Sequence, residues 1–310
     1  MQNIIQVKNL IKKYGKLNAV DDISFEVKKN EVFGLLGENG AGKTTTLEII
    51  EGLRRATSGE AFILGHDIKK GINNIKEKIG VQLQSSAYYQ FLTLQEILSL
   101  FGSFYQKSLK PMELLEMVDL KDKARSYVNN LSGGQKQRFS IIASLINDPE
   151  IVFLDEPTTG LDPLARRHLW NIITKIKSQG KTIILTTHYM EEAEVLCDRV
   201  AIMDRGKILT MGETHSLIEH LKEPFTISFK SKQIQEKTLS DLSKLSEVKK
   251  EPGKVDAFKM NLKTQQEVNA ALKYLAEIKP EYLNVGRATL EDVFIELTGK
   301  TILEDEEKNA

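Results

Sequence analysis

The sequence lacks several features that would place it in large classes of protein. It holds one cysteine, Cys197. An internal disulfide is therefore excluded, and a reducing compartment is the natural setting. The Val-Leu-Cys context of that residue on a predicted helix reads as buried filler rather than a reactive thiol. Prolines are few, seven in 310 residues, within a composition that is 41% hydrophobic and 28% charged, ordinary for a soluble globular chain. No apolar run approaches the roughly 20 residues that cross a bilayer, and residues 1–8 lack the apolar stretch of a leader. Neither a span nor a signal peptide is predicted. Charge of one sign is also missing: 43 Lys and Arg balance 43 Asp and Glu. Without a basic field, no nucleic-acid partner is expected. The length accommodates one large domain, or a large one and a small one.

What is present is organised. Over residues 1–222, apolar strand-like runs (31–36, 151–154, 182–186) alternate with helical patterns (43–52, 164–177). That alternation predicts an α/β domain with a mostly parallel sheet. Residues 85–130 depart from it and read as a helical insert. A boundary is expected near residues 222–224. Beyond it, Phe225, Ile227 and Phe229 alternate as a strand, and Leu239, Leu242 and Leu245 mark a short helix. A hairpin turning at Pro252-Gly253 follows, with Phe258, Met260 and Leu262 alternating. Thr264 and Glu267 resemble a capping box opening a helix, and residues 282–285 make a last strand. The order βαββαβ over 223–300 predicts a small α+β, ferredoxin-like domain. Leu290, Val293, Phe294 and Leu297 then form one face of a further helix, and the acidic tail 301–310 reads as disordered.

Residues 37–45 (GENGAGKTT) match the phosphate-loop pattern, set between a predicted strand and a predicted helix. Gly37, Gly40 and Gly42, with Asn39 and Ala41 between them, let backbone amides converge on phosphate oxygens. The helix that starts at Lys43, Thr44 and Thr45 adds positive partial charge. Lys43 is expected on the β- and γ-phosphates and the Thr44 hydroxyl on Mg²⁺. A structural glycine cap is the alternative, which the strand–loop–helix context disfavours. Asp155 and Glu156 end the apolar run IVFL, where ligands of open α/β sheets bind. Asp155 is expected at the metal, and Glu156 at the attacking water. Elsewhere such a pair is usually a solvated loop.

A second anion-seeking helix start lies at residues 131–135 (LSGGQ). Ser132 suits an N-cap, and two glycines leave the first amides open. With these motifs the sequence strongly resembles the nucleotide-binding subunit of an ATP-binding cassette (ABC) transporter over residues 4–213. LSGGQ reads as that family's signature, GENGAGKTT as its Walker A motif and IVFLDE as its Walker B motif. The resemblance implies a P-loop NTPase cassette with ATP and Mg²⁺ as cofactors. It gives Tyr14 as the aromatic on adenine and Gln84 as the Q-loop glutamine, able to touch both Mg²⁺ and the lytic water. Gln82 stands two residues earlier, but the family places this residue at the end of the strand 79–83. Residues 160–162 become part of the D-loop, and His188 the switch histidine on the γ-phosphate. Two chains are then expected to pack head to tail as a homodimer, with Ser132, Gly134 and Gln135 of one completing the ATP site of the other.

The segment 288–299 (ATLEDVFIELTG) resembles the end of ATPase subunits of bacterial drug, antibiotic and sodium exporters with separate membrane permeases. The implied location is cytoplasmic, peripheral on the inner face of the membrane through an integral permease docked on the helical insert. A soluble cassette ATPase acting on DNA or the ribosome, or in self-resistance, is the alternative class. DNA-repair relatives carry long coiled-coil insertions, whereas fewer than 90 residues separate Thr45 from Leu131 here. Translation-type relatives generally hold two cassettes. A bare P-loop kinase or switch GTPase leaves LSGGQ unexplained. No Cys/His spacing points to zinc.

Overall fold

The computed structural model describes residues 2–83, 88–232, 236–251 and 255–299. Gln84, the Pro252-Gly253 turn and the acidic tail lie outside the described residues. The chain divides into two compact units, one reaching Glu213 and one starting at Thr214.

The first unit opens with a long antiparallel pair, β1 (Asn3–Tyr14) and β2 (Leu17–Lys28). β3 (Val32–Leu36) runs through the glycine loop into α1 (Lys43–Ile50). β4 (Ser58–Ile63), β5 (His66–Asp67) and α2 (Ile68–Lys76) follow. After β6 (Ile79–Gln82) the described chain is helical: α3 (Leu94–Gly102), α4 (Pro111–Met117), two 3₁₀ turns and α5 (Gly133–Ala143). Strand and helix then alternate as β7 (Ile151–Asp155), α6 (Pro163–Ser178), β8 (Thr182–Thr187) and α7 (Met190–Leu196). The unit closes on β9 (Arg199–Asp204) and β10 (Lys207–Glu213).

These strands form two sheets. β2-β1-β4-β5 is antiparallel, and β10-β9-β3-β8-β7-β6 is parallel except for β10. The central strands β3, β7 and β8 are buried at every residue. That is why they read as continuous apolar runs rather than alternating ones. β1 and β2 alternate instead, with Ile5, Val7, Leu10, Val20, Phe25 and Val27 turned into the core shared with Phe33, Leu35 and Phe153. Phe25 stacks on Phe33 at 5.3 Å between centroids. Leu47, Ile49 and Ile50 put α1 into the same core. The loop between β3 and α1 is thus held from both ends. Cys197 is buried as expected, with its thiol pKa pushed well up by that burial.

One close approach makes a testable point. A Cβ on Gly80 in β6 would stand 1.9 Å from the backbone oxygen of Ser144, at the end of α5, and 3.0 Å from Pro149. Asn147 pins the same junction by donating to the Ile79 carbonyl at 2.9 Å. Gly80→Ala therefore forces backbone apart. The expected cost is roughly 3 kcal/mol, read as a Tm lower by roughly 6–12 °C in a thermal melt.

In the second unit α8 (Thr214–Glu219) precedes β11 (Phe225–Lys230), α9 (Glu236–Ser243), β12 (Val248–Lys250) and β13 (Ala257–Leu262). α10 (Gln265–Ile278), β14 (Tyr282–Arg287) and α11 (Leu290–Thr298) complete it. The sheet order is β12-β13-β11-β14 with antiparallel neighbours, the ferredoxin-like arrangement. Ile227, Phe229, Met260, Leu262, Val268 and Leu275 form its core. The Thr264–Glu267 capping box is present, with reciprocal bonds of 3.2 Å. Two details differ from the sequence pattern. Leu245 lies past the end of α9, although it still packs against the core, and Leu297 in the last turn of α11 is exposed.

Candidate functional site

The C-terminal ends of β3, β7 and β8 deliver the predicted residues to one edge of the sheet. The loop after β3 turns into α1 at Gly42, which sits at φ 100° as the N-cap. A Cβ there would be strained in that conformation and would meet the Ala19 carbonyl oxygen at 2.3 Å. Only glycine fits. The first turn of α1 carries no acidic residue, so its positive end is uncompensated. Asn39 and Gly40 are exposed, Ala41 is buried, and Thr44 and Thr45 are half-buried at the helix start.

Lys43 is buried and folds back on its own loop. Its Nζ donates to the carbonyls of Gly37 (2.8 Å) and Glu38 (3.0 Å), and lies 3.4 Å from Glu156 Oε1. Burial lowers its pKa, and Glu156 opposes that shift. At the end of β7, Asp155 Oδ1 accepts from the hydroxyls of Thr44 (3.2 Å) and Thr186 (2.5 Å). Burial raises the Asp155 pKa against those two hydrogen bonds.

Glu156 follows in the left-handed region at φ 46°, a conformation costing about 1–3 kcal/mol for a residue with a side chain. It is held there by neighbours. Its backbone N–H donates to Thr186 Oγ1 at 2.9 Å, and Thr159 Oγ1 donates to Oε2 at 3.1 Å. His188 Nδ1 stands 3.5 Å from the same oxygen. The imidazole of His188 at that distance, then the charge of Lys43, hold the Glu156 carboxyl down at about 2 against its burial. The structure therefore brings Lys43, Thr44, Asp155, Glu156 and His188 into one cluster. Thr186 and Thr159 belong to it as well. The sequence signal for Thr186 was a hydroxyl at the ligand end of the apolar strand TIILTT.

The LSGGQ residues lie elsewhere. α5 starts at Gly133 with Ser132 as its N-cap, as the sequence suggested, and Ser132 and Gln135 form a capping box with reciprocal bonds of 3.3 and 3.0 Å. Ser132, Gly134 and Gln135 line a cavity of about 400 Å³ together with Arg138, Asp162 and His168. No residue of the glycine loop, and neither Asp155 nor Glu156, lines it. Tyr14 is partly exposed. Arg54 donates to its hydroxyl at 2.5 Å, and the Lys12 ammonium stands 5.0 Å from its ring centroid. Gln82 ends β6 buried, its amide turned to the Leu83 carbonyl at 2.7 Å.

The carboxylate of Asp155 beside the Thr44 hydroxyl fits Mg²⁺, which takes few protein oxygens and fills its octahedron with phosphate and water. Among the described residues no group of three or more His, Cys, Asp and Glu is placed to hold a metal by itself.

Comparison with known proteins agrees with this geometry. The ABC transporter family model matches residues 20–159. The chain is 36% identical over 309 residues to the linearmycin resistance ATP-binding protein of Bacillus subtilis, covering 96% of this chain and 99% of that one. It is 40% identical over 222 residues to the Nod factor export ATP-binding protein I of Ralstonia nicotianae, 70% of this chain and 69% of the relative. Among solved structures, a dimeric ATP-binding cassette in a post-hydrolysis state with ADP and Pi superposes with a TM-score of 0.62 at 28% identity. That match covers 67% of this chain and 98% of the other.

Proposed function

Because this chain belongs to the family of ABC transporter ATP-binding proteins and is an ATPase of that family, we propose that it powers a separate membrane permease as half of a head-to-tail dimer. The observation that carries this reading is the separation of the two anion-seeking motifs. The cluster around Lys43 and Glu156 and the cavity under Ser132 share no lining residue. A phosphate bound by the first is therefore completed by the second from another copy. ATP then joins the subunits, and loss of its γ-phosphate releases them.

In the nucleotide site the chain's own contacts supply the first step. Lys43 exchanges the Gly37 and Glu38 carbonyls and Glu156 for phosphate oxygens. His188 turns to the γ-phosphate. Both moves remove the groups that hold Glu156 near 2. Its carboxylate thereby becomes a stronger base when a substrate is present, which suits a group that takes a proton from water. Thr44 and Asp155 would hold Mg²⁺, with Gln84 as the third contact. When bound, the ion neutralises charge on the β- and γ-phosphate oxygens. Tyr14 offers its ring to adenine.

The names of the relatives, linearmycin resistance and Nod factor export, support export as the direction. Among the described residues no helix is long and apolar enough to cross a membrane. The path for cargo then belongs to a permease. Exposed aromatics on the helical insert, Tyr89, Phe91 and Phe104, support that region as its docking surface. A pull-down of the full chain from detergent extracts tests the assignment. A co-purifying multi-span protein is expected, and recovery of ribosomes or DNA instead would reject it.

Gly133→Asp probes the dimer. A Cβ at Gly133 meets nothing within 4 Å, so the variant folds, and a carboxylate at the start of α5 stabilises that helix. The same charge repels a partner's phosphate. ATP binding to the monomer is expected to stay within about twofold, while turnover falls at least about tenfold and ATP-dependent dimers disappear from size-exclusion profiles.

A further inference from the structure

α7 begins two residues after His188, and its first turn carries Glu192, whose side chain is completely buried. A carboxylate so placed needs partners. The indole Nε1–H of Trp170, on α6, donates to Oε1 at 3.1 Å. Burial pushes the Glu192 pKa up, while the hydroxyls of Thr187 and Thr158, the Trp170 N–H and the charge of Arg166 pull it back.

These neighbours come from three pieces of the catalytic edge, and the Trp170 bond is the direct one, since Thr158 Oγ1 and Glu192 Oε2 have no hydrogen-bond partner among the described residues. Thr187 ends β8, one residue before His188. Thr158 lies two residues after Glu156 and is fully buried. Arg166 and Trp170 ride on α6, whose N-cap Asp162 closes residues 160–162. Arg166 also lies 4.2 Å over the ring of Tyr189, and that ring is 4.1 Å from the ring of His188. Arg166 Nε has no hydrogen-bond partner among the described residues, so the guanidinium is placed by the ring and by the carboxylate's field. An apolar side chain of similar volume would fill this position with less desolvation cost. A fully buried carboxylate here fixes geometry instead.

We propose that Glu192 is a positioning residue that joins His188 to the 160–162 loop, so that a contact made by the histidine is transmitted to the segment beside the Ser132 cavity. The inference rests on the reading of His188 as the γ-phosphate contact. It gives Trp170, the single tryptophan of the chain, a reporting role. Its indole N–H is bonded to the residue that moves with the histidine.

The test uses the full chain, with MgATP as the probe. In the wild type, tryptophan emission is expected to shift on addition of MgATP. Glu192→Gln keeps the shape and replaces one carboxyl oxygen by an amide nitrogen. It is expected to lower kcat about tenfold with KM for ATP within about twofold, and to abolish the emission shift. Trp170→Phe, which keeps a ring and deletes the N–H donor, is expected to lower kcat about threefold, and its effect is expected not to add to that of Glu192→Gln. It also serves if Glu192→Gln fails to fold. Unchanged kcat in both variants, additive losses, or a persistent emission shift in Glu192→Gln overturns the proposal. His188→Ala separates the two levels. If it abolishes turnover while Glu192→Gln turns over like wild type, the coupling is wrong and the histidine reading stands. If it turns over like wild type, both fall.

Discussion

Glu156→Gln is expected to lower ATP turnover by about 10³-fold while nucleotide binding survives and a dimer accumulates. The amide keeps the size of the side chain and its place at φ 46°, but it cannot take a proton from water. Lys43 loses the carboxylate 3.4 Å away that opposes its lowered pKa, and a bound phosphate supplies that compensation in its place. Affinity for ATP is therefore expected to hold or rise. Size-exclusion chromatography with MgATP should show a long-lived dimer. Wild-type turnover in the variant would remove Glu156 from the role of base. The pH dependence has a definite sign. A carboxyl held at about 2 stabilises the fold fully above the ordinary glutamate value near 4.5, and that contribution is lost as pH falls toward 2. The variant should lack this acid-side loss. Thermal melts of the nucleotide-free protein between pH 5 and pH 3 read the difference.

The residues proposed to meet phosphate were legible in the sequence because phosphate recognition uses local chain geometry. A glycine loop between a strand and a helix, or a cap before two glycines, is contiguous, so Lys43 and Thr44 could be found from the loop pattern and Ser132 as a helix cap, whereas the place of Ser132 and Gln135 at a partner's ATP came from the family resemblance. Asp155 and Glu156 were legible because a buried parallel strand has an unbroken apolar sequence that ends where the ligand edge begins. The knot around Glu192 was not legible. Its members come from four separated segments, and a glutamate in the first turn of a helix ordinarily reads as a solvated, dipole-favoured residue. The antiparallel β1–β2–β4 layer was also missed, since polar and charged residues break up the apolar ones along all three strands and leave neither a motif nor an unbroken apolar run. In the second unit the alternation of Phe225, Ile227 and Phe229 gave the strand, whereas the end of α9 before Leu245 follows from tertiary packing and has no local mark.

The second large effect concerns stability and comes from Glu51, at the C-cap of α1. It is 4% exposed, and its Oε1 has no hydrogen-bond partner among the described residues. Burial first, then the negative charges of Asp155 and Glu48, push its pKa up to about 8. A raised carboxyl means that the folded state holds its proton more tightly than the unfolded chain does. The associated stability is fully present below about 4.5 and is lost as pH rises toward 8. Glu51→Gln keeps the neutral form at every pH. The variant should therefore match the wild type near pH 5 and exceed it increasingly above, by roughly 3–5 kcal/mol past pH 8. In a domain of this size that corresponds to a Tm higher by roughly 10 °C. Melting curves of the nucleotide-free proteins at pH 5, 7 and 8.5 decide it, since parallel curves at all three would mean that Glu51 is ionised and solvated. The sign also bears on the site. Asp155, hydrogen-bonded to Thr44, has no second negative charge behind it when Glu51 is protonated. Turnover of Glu51→Gln at pH 7 is accordingly expected to stay within about twofold of wild type, even as its melting temperature rises.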